Sequence, residues 1–191
     1  MIKIFIIQLF IGILYPSGIE TNYCQLLGIF HKDNYTQSQP DSIRVFGQCI
    51  LDGEKIWTIK DQNLFLLMDR LTIPDSTERQ FYFKVFEKIG EQADGWIAES
   101  IGGYVLKYFK LYPREYLHNS TSIPESTLNR FSNMAADEFY WQIHNDDKNK
   151  KLNDFILEIN KRCGLITVSE KKNLDKFYND IRSFIKADNK K

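Results

Sequence analysis

The stretch from Glu78 to Tyr116 constrains the fold most, because its two halves are apolar almost throughout. Apolar residues in each half recur every three or four positions, which is the period of an α-helix with a buried side. Residues 90–94 separate the halves and predict a junction between two helices. Helices this apolar need partners, so we expect both at the centre of the core. Trp96, Ile97 and Ile101 are expected together on the broad apolar face of the second helix.

The chain on either side of this stretch predicts more amphipathic helices. Apolar residues with helical spacing occur in residues 64–71, 128–143, 152–163 and 174–185. No repeat of fixed period is evident. The pattern predicts an all-α fold, either an irregular antiparallel helical bundle or a solenoid-like array, with about six helices.

Residues with capping chemistry mark the expected helix ends. Three pairs have the spacing of a capping box, in which the first side chain accepts from the backbone and an acid three residues later reaches back. The pairs are Asp75 with Glu78, Ser122 with Glu125, and Thr167 with Glu170. Gly90 and Gly164 are predicted to end helices, Gly90 in the left-handed conformation. Gly102 and Gly103, inside a helix, predict the close approach of another backbone, with Gly103 as the expected contact.

Residues 19–60 carry mixed signals. Several Gly, Pro, Asp and Asn residues predict turns, and Asp52-Gly53 is suited to a short hairpin. Residues 43–50 fit a helix as well as a strand, and the helical character of the rest favours the helix. We expect a loop-rich segment over residues 19–60, packed on a helical domain of residues 61–191, so that residues 19–191 form a single domain.

The first 18 residues are typical of a secretory signal peptide. Lys3 precedes an apolar run over residues 4–14, and Pro16 and Gly18 break that run. A bilayer span needs about 20 apolar residues, so no stable membrane span is expected after cleavage. The sequence therefore predicts a secreted or periplasmic protein.

Export would place Cys24, Cys49 and Cys163 in an oxidising compartment. One disulfide and one free thiol are then expected, and all three pairings are open. No C-x-x-C spacing occurs, so we expect no zinc site, no other metal site and no cofactor.

The charges balance, with 25 basic and 25 acidic residues, but they are unevenly distributed. Residues 148–191 contain 12 Lys or Arg and 6 Asp or Glu, while residues 1–147 contain 13 and 19. A chain without a global excess of positive charge lacks the field that nucleic-acid binding requires. We therefore expect no nucleic-acid partner.

Three short motifs resemble catalytic ones but lack their context. Ser100 lies in a sequence close to a nucleophile elbow, yet no strand precedes it. Glu115 and His118 have the spacing of a di-iron helix, but the second Glu-x-x-His is missing, which favours a solvated pair beside a loop. Ser169 begins an S-x-x-K whose companion motifs are absent, and helix capping accounts for it.

Four carboxylates near the central junction are the candidate binding residues: Glu87, Glu91, Asp94 and Glu99. Glu87 and Glu91 are four positions apart on one helix face, so their repulsion requires solvent or a cationic partner. Asp94 is expected to cap the second helix through its side chain. That cap, with the glutamates in solvent, is the favoured interpretation. The alternative is that Glu99 is partly buried and pairs with Arg or Lys, or binds a ligand.

These observations favour a protein-binding role, of an interaction, inhibitor or immunity type, over catalysis. No catalytic residue is assigned. The alternative is an enzyme or a metal-binding protein that uses the carboxylates around Asp94 and Glu99, or the pair Glu115 and His118.

Overall fold

The computed structural model describes residues 40–188, and every regular element in this range is helical. The α-helices are α1 (Pro40–Leu51), α2 (Asp61–Asp69), α3 (Ser76–Gln92), α4 (Gly95–Leu111), α5 (Pro113–Ser120), α6 (Glu125–Ile143), α7 (Lys148–Cys163) and α8 (Val168–Asp188). Single 3-10 turns lie at Ile56–Thr58 and Arg70–Thr72. The prediction of an all-α fold with about six helices is confirmed. The predicted signal peptide and residues 19–39 lie outside the described residues.

Helix α6 connects the two halves of the described fold, because it packs against α4 on one side and α8 on the other. Helix α3 packs against α1, α2 and α6, while the short α5 contacts α4, α7 and α8. The buried side chains form one contiguous cluster. As expected, α3 and α4 contribute its central members, among them Phe86, Ile101, Tyr108 and Phe109.

Residues 43–50 belong to helix α1, so the helical interpretation is confirmed and the hairpin is not formed. The helix ends in a tight turn, in which Glu54 N donates to Cys49 O at 2.9 Å. Gly53 adopts a φ of 99°, which L-residues with a side chain rarely adopt. The Asp52-Gly53 pair therefore terminates a helix here. The segment predicted to be loop-rich therefore contains a helix at Pro40–Leu51, in agreement with the helix favoured for residues 43–50.

Only one of the three capping boxes forms completely. Thr167 N donates to Glu170 Oε2 at 2.7 Å, and Glu170 N donates to Thr167 Oγ1 at 3.2 Å. Asp75 caps α3 through the amides of two following residues. Glu78 does not reach back, because it pairs with Arg44 of α1 at 2.7 Å.

The predicted box at Ser122 is wrong. Helix α6 begins at Glu125 after Pro124, which makes no side-chain capping bond. The Ser122 hydroxyl instead donates to Asn119 O at 2.8 Å, behind the end of α5. The hydroxyl thus stabilises the preceding turn.

Two glycines mark the places where helices approach most closely. Helix α3 continues past Gly90 to Gln92, so the predicted left-handed helix end is wrong. A Cβ on Gly90 would lie 2.2 Å from the ring of Phe131, and a Cβ on Gly102 would lie 2.4 Å from Met134 O. Helix α6 therefore packs directly on both backbones. Gly103 has nothing within 4 Å of a built Cβ, so the prediction of a contact there is wrong and that contact lies at Gly102.

Arginine side chains satisfy backbone carbonyls at three helix ends. Arg130 Nη1 donates to Gly90 O at 2.7 Å, near the end of α3. Arg162 Nη2 donates to Leu111 O at 2.7 Å. Arg114 Nη1 donates to Cys163 O at 2.9 Å, next to Gly164, which ends α7 as predicted. Terminal carbonyls have no partner within their own helix, so these bonds from neighbouring helices replace capping by local residues.

The cysteines differ in state. Cys49 is disulfide-bonded, whereas the buried Cys163 is a free thiol. The two pairings that include Cys163 are therefore excluded. Among residues 40–188, no helix is both long and apolar enough to cross a bilayer.

Candidate functional site

The four predicted carboxylates lie in two separate places. Glu87 and Glu91 are on the last two turns of α3, and Asp94 and Glu99 are at the start of α4. Burial raises the pKa of Glu87, and the charge of Glu91 raises it further. Lys88 Nζ lies 2.7 Å from Glu91 Oε2, so a neighbouring cation offsets part of the repulsion.

Asp94 occupies the N-cap position of α4, but its side chain accepts no hydrogen bond there. The predicted side-chain cap is wrong. Gly95 follows with a φ of 46°, so the chain does not enter α4 in the geometry that brings an N-cap side chain to the first free amides. Only the backbone O of Asp94 takes part, accepting from Ala98 N at 3.2 Å.

Glu99 is exposed and makes no ion pair within residues 40–188, which agrees with the favoured interpretation of solvated glutamates and rules out the alternative of partial burial. Helical spacing is the reason. Ile97 and Ile101 define the buried face of α4, and Glu99 lies midway between them on the other side. Its carboxylate is therefore available to a partner.

A cluster of aromatic side chains lies on the surface beside these carboxylates. Trp96 is 52% exposed, which corrects its expected place on the buried face. Its ring centroid lies 4.6 Å from that of Phe65 on α2, and the Phe65 ring lies 6.3 Å from that of Tyr104. Trp57 is 72% exposed in the first 3-10 turn.

A hydrogen bond holds that 3-10 turn against the end of α3, since Ile56 N donates to Gln92 Oε1 at 3.3 Å. The backbone next to Trp57 is therefore held at the end of α3. We refer to Trp57, Phe65, Trp96 and Tyr104 as the tryptophan surface.

Exposed carboxylates accompany the tryptophan surface on both helices. On α2, Asp61 and Asp69 lie one turn before and one turn after Phe65. On α4, Asp94 and Glu99 lie on either side of Trp96 in sequence. Burial, followed by the charge of Asp69 and a hydrogen bond to it, raises the pKa of Tyr104 to about 12. The surface thus combines aromatic rings with negative charge.

Glu87 faces a different feature, a cleft of about 450 Å³. The residues lining it are Leu51, Gln80, Phe83, Lys84, Glu87, Lys88, His118, Asn119 and Ser122. Two of these nine are apolar. Small-molecule sites are mostly enclosed and lined by apolar residues, whereas this cleft is open to solvent and most of its lining residues are polar or charged.

A buried ion pair between Arg79 and Glu115 was not predicted. Arg79 is 4% exposed and binds Glu115 through two hydrogen bonds, Nε to Oε1 at 3.0 Å and Nη2 to Oε2 at 2.6 Å. Its Nη1 donates to Ile73 O and Pro74 O, both at 2.6 Å. The guanidinium also lies over the Tyr112 ring, with its carbon 3.7 Å from the centroid.

The Glu115 carboxylate also accepts a hydrogen bond from a second side chain. The Tyr108 hydroxyl donates to Glu115 Oε1 at 2.7 Å, and Asn119 Nδ2 donates to that hydroxyl at 3.0 Å. Burial favours a higher pKa for Glu115, but the hydrogen bonds from Arg79 and Tyr108 outweigh it and the net pKa is lowered. The prediction of a solvated Glu115 is wrong. The available signal was Arg79 itself, a charged residue in the first turn of a helix whose interior is apolar nearly all round.

The Glu115 and His118 side chains do not form a joint metal site. Glu115 is committed to Arg79 and Tyr108, while the exposed His118 has its Nδ1 3.7 Å from Glu170 Oε1. Within the described range, no three His, Cys, Asp or Glu side chains are placed to hold a metal ion together.

The two serine motifs are part of helices. The Ser100 hydroxyl donates to Trp96 O at 2.9 Å, one turn back along an uninterrupted α4, so no nucleophile elbow exists there. Ser169 lies in the first turn of α8, two residues after the Thr167 cap.

A search of protein-family models, curated proteins and solved structures found no match to this chain.

Proposed function

We propose that the protein is an exported protein-binding module that uses the tryptophan surface to hold a basic region of its partner. The observation that carries the proposal is the exposure of Trp57 and Trp96 on neighbouring elements. Tryptophan is enriched among the residues that supply most of the energy of protein interfaces. Exposing two such rings costs solubility, and partner binding would offset that cost.

The surface is ordered before any partner arrives. Trp96 rests against Phe65, and the turn that carries Trp57 is bonded to Gln92. A side chain that is already held loses less conformational entropy on binding. This order favours an anchoring role for the rings.

The charge of the surface indicates the chemistry of the partner. Asp61, Asp94 and Glu99 are exposed and form no ion pair within residues 40–188. Complementary charge accelerates association and excludes partners of like charge. A partner that presents Lys or Arg around an apolar pocket would match both the exposed rings and the negative charge of this surface. An inhibitor or immunity protein that covers a basic site on an enzyme is one form of this function, supported by size and compartment alone.

We expect Trp96→Ser to abolish capture of the partner from the envelope fraction of the native organism. Trp141→Ser is the matched control, because Trp141 is also a tryptophan, 58% exposed, on α6. Both variants should lower the melting temperature slightly and by similar amounts, since each ring is about half exposed. The captured proteins are identified by mass spectrometry and compared between the variants.

A charge test refines the same experiment. Glu99→Lys should weaken capture at low salt, and the wild-type interaction should weaken as salt screens the surface charges. Equal capture by the wild type, Trp96→Ser and Trp141→Ser would refute the proposal. Stoichiometric iron, manganese or zinc in the purified protein would support the enzyme or metal-binding alternative.

Export is the second part of the proposal. It is supported by the apolar N-terminal run after Lys3 and by the disulfide at Cys49, because disulfides persist in oxidising compartments. We expect N-terminal sequencing of native protein to find a start near residue 19. Native protein that retains Met1 in the membrane fraction would contradict this expectation.

A further inference from the structure

The loop between α7 and α8 and the first residue of α8 carry two highly exposed apolar side chains. Leu165 is 91% exposed and Val168 is 88% exposed. Ile166, between them, packs against the core. The loop is thus anchored through Ile166 and presents its other two apolar side chains to solvent.

The backbone of this loop is fixed on both sides. Arg114 Nη1 donates to Cys163 O and to Leu165 O. On the other side, Thr167 and Glu170 form the complete capping box of α8. The exposure of Leu165 and Val168 is therefore a property of the folded loop.

Basic residues flank the two apolar side chains. From residue 161 to residue 172 the chain has four basic residues and one acidic residue, Glu170, which is buried. Lys161 lies on the last turn of α7, and Lys172 lies one turn after Val168 on the same face of α8. Neither lysine has an ion pair within residues 40–188.

We propose that this tip, formed by Lys161, Leu165, Val168 and Lys172, binds the surface of an anionic phospholipid bilayer. Leu165 and Val168 enter the boundary between headgroups and acyl chains, while the two lysines remain at the phosphates. Attachment of this kind combines buried apolar area with attraction to anionic lipids.

The shape of the tip distinguishes a bilayer from a protein partner. The two side chains project from a loop at the end of a helix pair and are almost entirely in solvent. A bilayer offers an apolar layer beneath a layer of phosphates at every position. A protein partner would need a matching pocket with carboxylates on both sides of it.

Co-sedimentation with vesicles tests the proposal. We expect the full chain to bind vesicles of phosphatidylglycerol and phosphatidylcholine, and to bind pure phosphatidylcholine vesicles at least about tenfold more weakly. The double variant Leu165→Ser, Val168→Ser should lower the partition coefficient on anionic vesicles by about tenfold or more, because it removes the inserted apolar area. Lys161→Glu with Lys172→Glu should cause a similar loss, because it reverses the attraction to the phosphates.

Val45→Ser is the matched control, since Val45 is an exposed apolar residue on α1. It should bind like the wild type, and all variants should share its melting temperature. Equal binding by the wild type and the Leu165→Ser, Val168→Ser variant would overturn the proposal. Failure of the wild type to bind anionic vesicles would also overturn the proposal. This includes the case in which analytical ultracentrifugation shows that the wild type self-associates through this tip.

Discussion

Gly102→Ala should destabilise the protein by about 3 kcal/mol, at the upper end of what overpacking a core usually costs. The new Cβ would lie 2.4 Å from Met134 O and 2.8 Å from Met134 C. Both are backbone atoms, so no side chain can rotate away and α4 and α6 must separate. Urea unfolding followed by circular dichroism measures the loss as a lower midpoint.

Gly103→Ala is the matched control at the next residue of the same helix. Nothing lies within 4 Å of its built Cβ. Alanine should therefore stabilise the protein by about 0.5–1 kcal/mol through helix propensity. If Gly102→Ala and Gly103→Ala unfold at the same urea concentration, α6 does not pack on the α4 backbone as described.

Glu115→Ala should cost about 3–5 kcal/mol, the usual effect of removing one partner from a buried ion pair. The substitution leaves the Arg79 guanidinium, 4% exposed, without its carboxylate. It also removes the acceptor of the Tyr108 hydroxyl. The free energy of unfolding, from urea titration at neutral pH, is the measurement.

An exposed ion pair between α1 and α3 provides the control. Arg44 and Glu78 are 50% and 40% exposed, so Glu78→Ala should cost about 1 kcal/mol or less. The double variant Arg79→Met, Glu115→Leu should cost less than the sum of its single substitutions, because it leaves no unpaired charge. Additive losses would show that Arg79 and Glu115 do not act as a pair.

The same contact predicts a pH dependence. The folded pKa of Glu115 is lowered, so the unfolded chain binds its proton more readily. Its contribution is fully present above the unfolded pKa of about 4.3 and is lost as the pH falls through the folded value. Glu115→Gln should therefore lose stability at neutral pH and approach the wild type in acid.

Most of the helices could be predicted from the sequence, because their signals are local. The apolar period over residues 174–185 corresponds to α8, and Gly164 ends α7 where expected. The complete capping box at Thr167 also follows from residues three positions apart. Interactions within one or two turns of a helix depend little on the rest of the fold.

The candidate site was less predictable, because it depends on the direction of each side chain. The sequence indicated Asp94 and Glu99 as candidate binding residues, but it did not indicate that Trp96 beside them is exposed. Ile97 and Ile101 could be placed in the core from spacing alone, whereas Trp96 lies at the edge of that face, where the packing of α2 decides its exposure.

The sequence by itself determined the all-helical class, the positions of most helices, the end of α7 and the start of α8. Only the tertiary structure decided that α6 packs on Gly90 and Gly102, that Arg79 binds Glu115, and that Trp96 faces solvent. Arg79 and Glu115 are 36 positions apart, and Gly102 meets a carbonyl 32 positions later. Contacts at such separations leave no periodic pattern in the sequence, because they arise only when the helices pack.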